Sequence, residues 1–320
     1  MREATFIFKN RAKWQQLEDI VDGREEANAD ELSALYHTTN DDLSYAQTFF
    51  PEGESQAFLS PLLRKLHYMI YKKRAVDYAY FIDYFWTEVP SVIARRPLPF
   101  VSAFLIFILA FLVGYISSYY DSSFVRVVLG DAYVNKTLDN IASGDPLAIY
   151  KSTEATQMFF GITTNNIMVS FIAFIYGIFA CLGTVSVLLN NGIMLGSFQT
   201  FILENVAMKD YILTVWLHGT LEISAIVLAG GAGMMLGASW LFPGDYSRFE
   251  SFKVYGRAAL KVIISLIPVF IMAGFIESFL TRHTEWEYFW RAIIVVVSAI
   301  FILTFYVVRP IIIFNRSTRN

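Results

Sequence analysis

The stretch "HGTLEISAIVLAGGAGMMLG", residues 218–237, decides the fold. A histidine and a glutamate stand four positions apart at the head of an apolar run studded with glycine. Gly231, Gly233 and Gly237 lack the preceding strand and the nearby acidic residue that a dinucleotide-binding loop requires. Ala229, Gly233 and Gly237 instead recur every four residues and line one face of a helix, with Gly230 and Gly231 beside them. In lipid, small residues at this spacing let helix backbones approach closely. Gly177 and Gly183 in one neighbouring apolar segment, and Gly192 and Gly196 in the next, are the candidate counterparts.

Working outward, 55% of the 320 residues are hydrophobic and 17% are aromatic, more than a soluble domain of this size needs. The expectation is an all-α, polytopic transmembrane bundle. The 25 Lys and Arg residues nearly balance the 28 Asp and Glu residues, so no strongly basic surface points to nucleic acid. The lone Cys181 cannot form an intrachain disulfide. The first long apolar run starts only near Leu98, so no cleavable signal peptide is expected.

Residues 1–97 read as a cytoplasmic helical region. Trp14, Leu17 and Val21 share one face, and further helices are expected over 30–50 and 55–73. "AYFIDYFWTEVPSVIARR", which ends this region, reads as an elbow helix on the membrane surface, or else as a core helix of the soluble part. A transmembrane bundle follows over 98–313, with spans near 98–119, 167–190, 192–206, 211–241, 262–280 and 291–313. The segment 192–206 is short and interrupted by Gln199 and Glu204. It either crosses or re-enters, and crossing is expected because Arg248, Lys253, Arg257 and Lys261 then share a side with Arg95 and Arg96. Both termini, including the tail 314–320, are thereby expected in the cytoplasm, at a bacterial inner membrane. Loop 120–166 is expected outside, with one or two amphipathic helices broken at Gly144-Asp145-Pro146.

Ionisable groups at membrane depth are costly and need partners. His218 and Glu222 share a helix face, and a turn near Met208–Tyr211 would bring Glu204 to a similar depth. A polar cluster of Glu204, His218 and Glu222 is expected near the outer interface. Trp216 and Trp240, about 36 Å apart at 1.5 Å per residue, would mark the two interfaces. One histidine and two carboxylates could hold a divalent ion. With no HExxH motif and the other histidines distant in sequence, neither a metal nor any other cofactor is assigned. No G-x-S-x-G pattern marks a nucleophile, and no catalytic residue is assigned. The cluster reads as a hydrogen-bonded clamp between helices, or as a proton or ion relay.

"NNGIMLGSF" and "WLHGTLEISAIVLAGGAGMMLG", with the preceding "FWTEVPSVIARR", resemble the stage II sporulation protein M family of integral membrane proteins. The resemblance covers the chain from about Phe85 onward, and the long N-terminal helical region departs from the family's namesake. It marks Asn190, Asn191 and Gly192 as a motif turn, and His218, Glu222, Gly230, Gly231, Gly233 and Gly237 as a structural core with no catalytic assignment. It implies a non-enzymatic scaffold or anchor in a cell-envelope complex. The runner-up is a six-span transporter using the Glu/His cluster. The expected partners are the lipid bilayer and other proteins, through the outer loop and the cytoplasmic helices; a homo-oligomer is compatible with the same surfaces.

Overall fold

A computed structural model describes residues 2–25, 27, 29–71, 78–144, 148, 154–205, 208–281 and 287–317. All regular structure among them is helical. The chain divides into two compact units, residues 1–78 and 79–320.

The first unit contains α1 (Glu3–Val21), α2 (Ala29–Phe49) and α3 (Glu54–Tyr71), which contact one another pairwise. Trp14 is buried with Phe6, Ala46 and Leu59, and Leu17 with Leu62, Leu63 and Leu66. The indole of Trp14 donates to Asp42 Oδ2 at 2.8 Å, and Lys13 Nζ lies 2.5 Å from the same oxygen. Glu3 Oε1 accepts from both the Ser55 amide (2.9 Å) and the Ser55 hydroxyl (2.7 Å). An anionic side chain from α1 thus satisfies donors in the first turn of α3, where the helix dipole favours negative charge. These two hydrogen bonds hold the Glu3 carboxyl below its ordinary range.

The second unit opens with α4 (Tyr78–Asp83), a π turn over Tyr84–Glu88 and α5 (Val89–Arg95). Val89 and Ile93 are buried in the main core of the spanning bundle, so this segment belongs to the spanning unit, while Phe81, Ile82 and Trp86 before them are exposed. Polar contacts fasten it further: Lys261 Nζ lies 2.7 Å from Glu88, and the Tyr84 hydroxyl donates to the Lys261 carbonyl at 2.5 Å. Arg309 donates to the Trp86 carbonyl and stacks 4.4 Å above the indole.

Then follow α6 (Pro97–Tyr120), α7 (Ser122–Leu129), α8 (Asp131–Ala142), α9 (Ala155–Ile175), α10 (Leu182–Asn205), α11 (Met208–Leu241), α12 (Arg248–Phe275), α13 (Tyr288–Leu303) and α14 (Arg309–Ser317). Further π turns over Ile276–Leu280 and Thr304–Val308 extend α12 and join α13 to α14. Six helices among the described residues are long and apolar enough to span a bilayer: 97–120, 155–178, 182–205, 215–241, 248–280 and 288–316.

These bounds correct the expected second and third spans. The apolar run from 167 to 206 carries no strong breaker, and the chain reverses at Ala180 and Cys181, whose φ values are 51° and 68°. The second span therefore starts twelve residues earlier than expected (155 against 167), and the third is a full 24 residues long. Asn190, Asn191 and Gly192, read as a motif turn, lie within α10 instead. Asn191 Nδ2 donates to the Val187 carbonyl one turn back at 2.8 Å.

The helices α7 and α8 meet at Gly130, whose φ of 86° favours glycine, and Gly144 (φ 80°) follows α8. Asp145 and Pro146, where the break was expected, lie outside the described residues. Val125 and Val134 are buried against Phe201, Ile202 and Val215. The pair thus covers the ends of α10 and α11, while Val127 of α7 stays exposed.

The helix α11 is central, touching α6, α9, α10, α12 and α13. An apolar cleft of about 730 Å³, lined by Phe100, Phe104, Phe107, Ile223, Val227 and Ile302 among others, lies between α6 and the last span, alongside α11.

Candidate functional site: an intramembrane polar group

Close packing around α11 sets the frame. A Cβ on Gly233 would overlap the Ala173 carbonyl and the Thr184 hydroxyl, and one on Gly237 would overlap the Gly177 carbonyl and Cys181. Gly177 in turn meets the Gly233 carbonyl, so backbones touch where α11 crosses the end of α9. Gly230 packs on Leu188, Gly231 on the Phe100 ring, and Ala229 is fully buried. Gly192 and Gly196 do not face this groove: they lie against the backbone of α6 at Phe107 and Phe111. Gly183 packs on Tyr176, which precedes it in the same reversal of the chain. Hydroxyl-to-carbonyl bonds accompany these approaches, Thr184 Oγ1 to Ala173 O at 2.6 Å and Thr200 Oγ1 to Tyr115 O at 3.0 Å. Each supplies a buried hydroxyl with an acceptor, which hydrocarbon cannot.

Against this frame stands a polar group at the junction of α9, α11 and the π turn after α12. His218, Glu222 and Glu277 each present one ligand-type atom, and these atoms lie within 4.8 Å of one another. His218 Nε2 is 3.8 Å from Glu277 Oε1, and the Glu222 and Glu277 carboxyl groups are within hydrogen-bonding reach of each other. Asn166 Nδ2 donates to Glu222 Oε1 at 2.7 Å, and Thr281 Oγ1 lies 3.4 Å from His218 Nδ1. His218 is only 6% exposed.

Local geometry explains the convergence. Four residues separate His218 from Glu222, one α-helical turn, so both face the same way. The π turn over Ile276–Leu280 widens the helix, with the Thr281 amide bonding to the Ile276 carbonyl five residues back. Residues 277 and 281 are then also one turn apart, and both reach His218. Such widened turns recur at functional sites.

The site differs from the expected cluster in one member. Glu204 is exposed near the C-terminal end of α10 and is not in the group; Glu277 occupies the place assigned to it. The Glu204 side chain is exposed, whereas Phe201 and Ile202 before it are buried under the α7–α8 cover. Glu277 and Asn166 were missed. Glu277 carried a usable signal, being an ionisable residue inside an apolar span. Asn166 fell outside the expected second span and entered it when that span proved to start at residue 155.

Chemically, two carboxyl groups in contact need a positive charge between them, either a shared proton or a cation. The group can therefore clamp three helices, exchange a proton or bind a cation.

Comparison with known proteins locates the chain. The model of the stage II sporulation protein M family matches residues 103–282, which include α9 to α12, the glycine contacts and the whole polar group. A domain of unknown function (DUF8413) matches residues 4–72, the three N-terminal helices. The uncharacterized protein MJ0706 of Methanocaldococcus jannaschii is 25% identical over 138 residues, which are 42% of this chain and 61% of that protein. The chain thus aligns with about three fifths of that relative's length. No solved structure matches. With more than half of its length matched by one family model, this multi-pass membrane chain belongs to the stage II sporulation protein M family.

Proposed function

We propose that this protein is a non-enzymatic scaffold of a cell-envelope complex, held in a cytoplasmic membrane with both termini inside. The observation that carries this reading is the backbone contact at the centre of the bundle. Gly177, Gly233 and Gly237 leave no room even for a methyl group between α11 and its neighbours. Helices packed to this distance have discrete arrangements and resist the rocking that alternating access requires. The polar group, seated beside these contacts with Asn166 and Thr281 as partners, serves in this reading as a helix clamp. The N-terminal three-helix unit and the α7–α8 pair each supply a docking surface in this reading. The orientation follows from Arg95, Arg96, Arg248, Lys253, Arg257, Lys261, Arg309 and Arg316, which six alternating crossings put at one end.

Two measurements test this. Single cysteines in a Cys181→Ser background should be labelled by a membrane-impermeant reagent at Asp139→Cys in intact cells, but at Asp245→Cys only after permeabilisation. The reverse pattern would invert the topology. Affinity purification in mild detergent should recover stoichiometric protein partners, and deletion of residues 1–78 should release a subset of them. A transporter would instead give solute or proton flux in proteoliposomes, abolished by Glu222→Gln, and that result would displace the scaffold reading.

A further inference from the structure

The geometry points to a divalent-cation site: His218, Glu222 and Glu277 bind one first-row transition-metal ion of the Zn²⁺ class between α11 and the π turn after α12. One imidazole and two carboxylates form a donor set suited to such ions, and their charge neutralises a divalent cation. The three donor atoms already lie within 4.8 Å of one another. Around zinc at about 2.0–2.2 Å, tetrahedral ligands stand roughly 3.3–3.5 Å apart. Terminal torsions of two glutamates, shifting their oxygens by about an ångström, close the difference.

Three further observations point to a ligand rather than to packing alone. The supporting contacts are those that orient metal ligands: Asn166 Nδ2 fixes one oxygen of Glu222 at 2.7 Å, and Thr281 Oγ1 sits at the Nδ1 side of His218, leaving Nε2 towards the carboxylates. Among the described residues, the partners of the two carboxyl groups are Asn166, His218 and each other, with no lysine or arginine among them. The positive charge that a pair of facing carboxylates requires is what a cation supplies. Finally, Thr163 Oγ1 and Ser278 Oγ are buried without a hydrogen-bond partner. Ser278 adjoins Glu277. Thr163, 8% exposed, precedes Asn166 by one turn and packs on Gly274, one turn before Glu277. Buried orphan hydroxyls on the segments that carry Glu277 and Asn166 leave polar groups for a water accompanying a bound ion to satisfy.

The site has a structural consequence. Its ligands come from two helices separated in sequence and are steadied by a third, so a bound ion would lock the end of the bundle that the α7–α8 pair covers. This inference stands apart from the scaffold reading, because a transporter could use the same site.

The experiment uses the full chain in detergent, carrying a tag without histidine, stripped with EDTA and dialysed against Zn²⁺ alone. One zinc per chain by elemental analysis and a raised melting temperature are expected. Glu277→Gln and Glu222→Gln should lower zinc affinity by about 100-fold or more, and Asn166→Leu by about tenfold. Glu204→Gln should bind like the wild type. Replacement by Co²⁺ supplies a test that needs no variant: X-ray absorption should show one imidazole with oxygen ligands. A wild type without stoichiometric zinc, undiminished binding in the folded double variant Glu222→Gln/Glu277→Gln, or a cobalt shell containing sulfur or several imidazoles would each overturn the assignment.

Discussion

Asn166 Nδ2 donates to Glu222 Oε1 at 2.7 Å, joining two spanning helices across 56 residues of sequence. An amide partner at this position leaves the carboxyl group's second oxygen for Glu277 and His218. Asn166→Leu should therefore strip a hydrogen bond from a buried carboxyl group and cost about 1–3 kcal/mol. Asn166→Asp, which adds a third carboxyl group, should be worse. Melting of detergent-solubilised protein with chelator present measures both. An Asp variant as stable as the wild type would show that the group is more solvated than its burial implies.

Gly177 and Gly233 make a steric prediction. A single methyl on either overlaps main-chain oxygen, which cannot swing aside as a side chain can. Gly177→Ala and Gly233→Ala should each lower stability by about 1–3 kcal/mol, and Gly233→Leu should prevent folding or assembly. Gly161 is the proper control, because it is exposed with nothing within 4 Å and has an ordinary helical backbone. Gly161→Ala should stay within about 0.5 kcal/mol of the wild type. Gly130, open though it is, makes a poor control, since its φ of 86° strains any other residue. Size-exclusion profiles and melting curves decide; equal tolerance at Gly161 and Gly177 would remove the close-packing argument.

Such contacts mark what the sequence could and could not disclose. The helical class, the six apolar segments and the small-residue face of residues 229–237 are periodic features, and periodicity is local. The reversal at Ala180–Cys181 was hidden because its residues are apolar like their surroundings, and only the backbone takes an unusual conformation. That single displaced turn changed the register of the second and third spans, moved Asn191 into a helix and brought Asn166 to membrane depth. The partnership of Glu277 with His218 joins two helices distant in sequence, which no spacing rule within a single helix anticipates. Glu204 failed as a member for a related reason: depth along a helix was legible, but the rotation of α10 about its axis was set by its contact with α6.

Glu3 gives the N-terminal unit a pH dependence. Its carboxyl is held below the ordinary value of 4.5 by the hydroxyl and amide of Ser55. A group whose folded value is depressed contributes stability above its unfolded value and loses it as pH falls through the folded one. The Glu3–Ser55 tie should thus be intact at neutral pH and lost on acidification below about 4.5. Hydrogen exchange at the start of α3, compared between wild type and Glu3→Gln at each pH, should show a protection gap at pH 7 that narrows as the pH falls below the ordinary glutamate range. A gap independent of pH would mean that Glu3 acts through shape rather than charge.

His218 is buried, with Thr281 at Nδ1 and Glu277 at Nε2. In chelator, where no ion contributes, His218→Gln retains a donor and an acceptor near both partners, whereas His218→Leu leaves buried polar groups unsatisfied. The Leu variant should lose about 1–3 kcal/mol and the Gln variant clearly less. Function in the native host separates the remaining chemistries, because glutamine can neither carry a proton near neutral pH nor replace an imidazole on a metal. A Gln variant that is stable and active would leave a clamp as the sole duty of this histidine. One that is stable but inactive, and rescued by added Zn²⁺, would place function on the bound ion. One that is stable but inactive whatever the zinc supply, with loss of proton flux in proteoliposomes, would make the group a relay and remove the scaffold from first place.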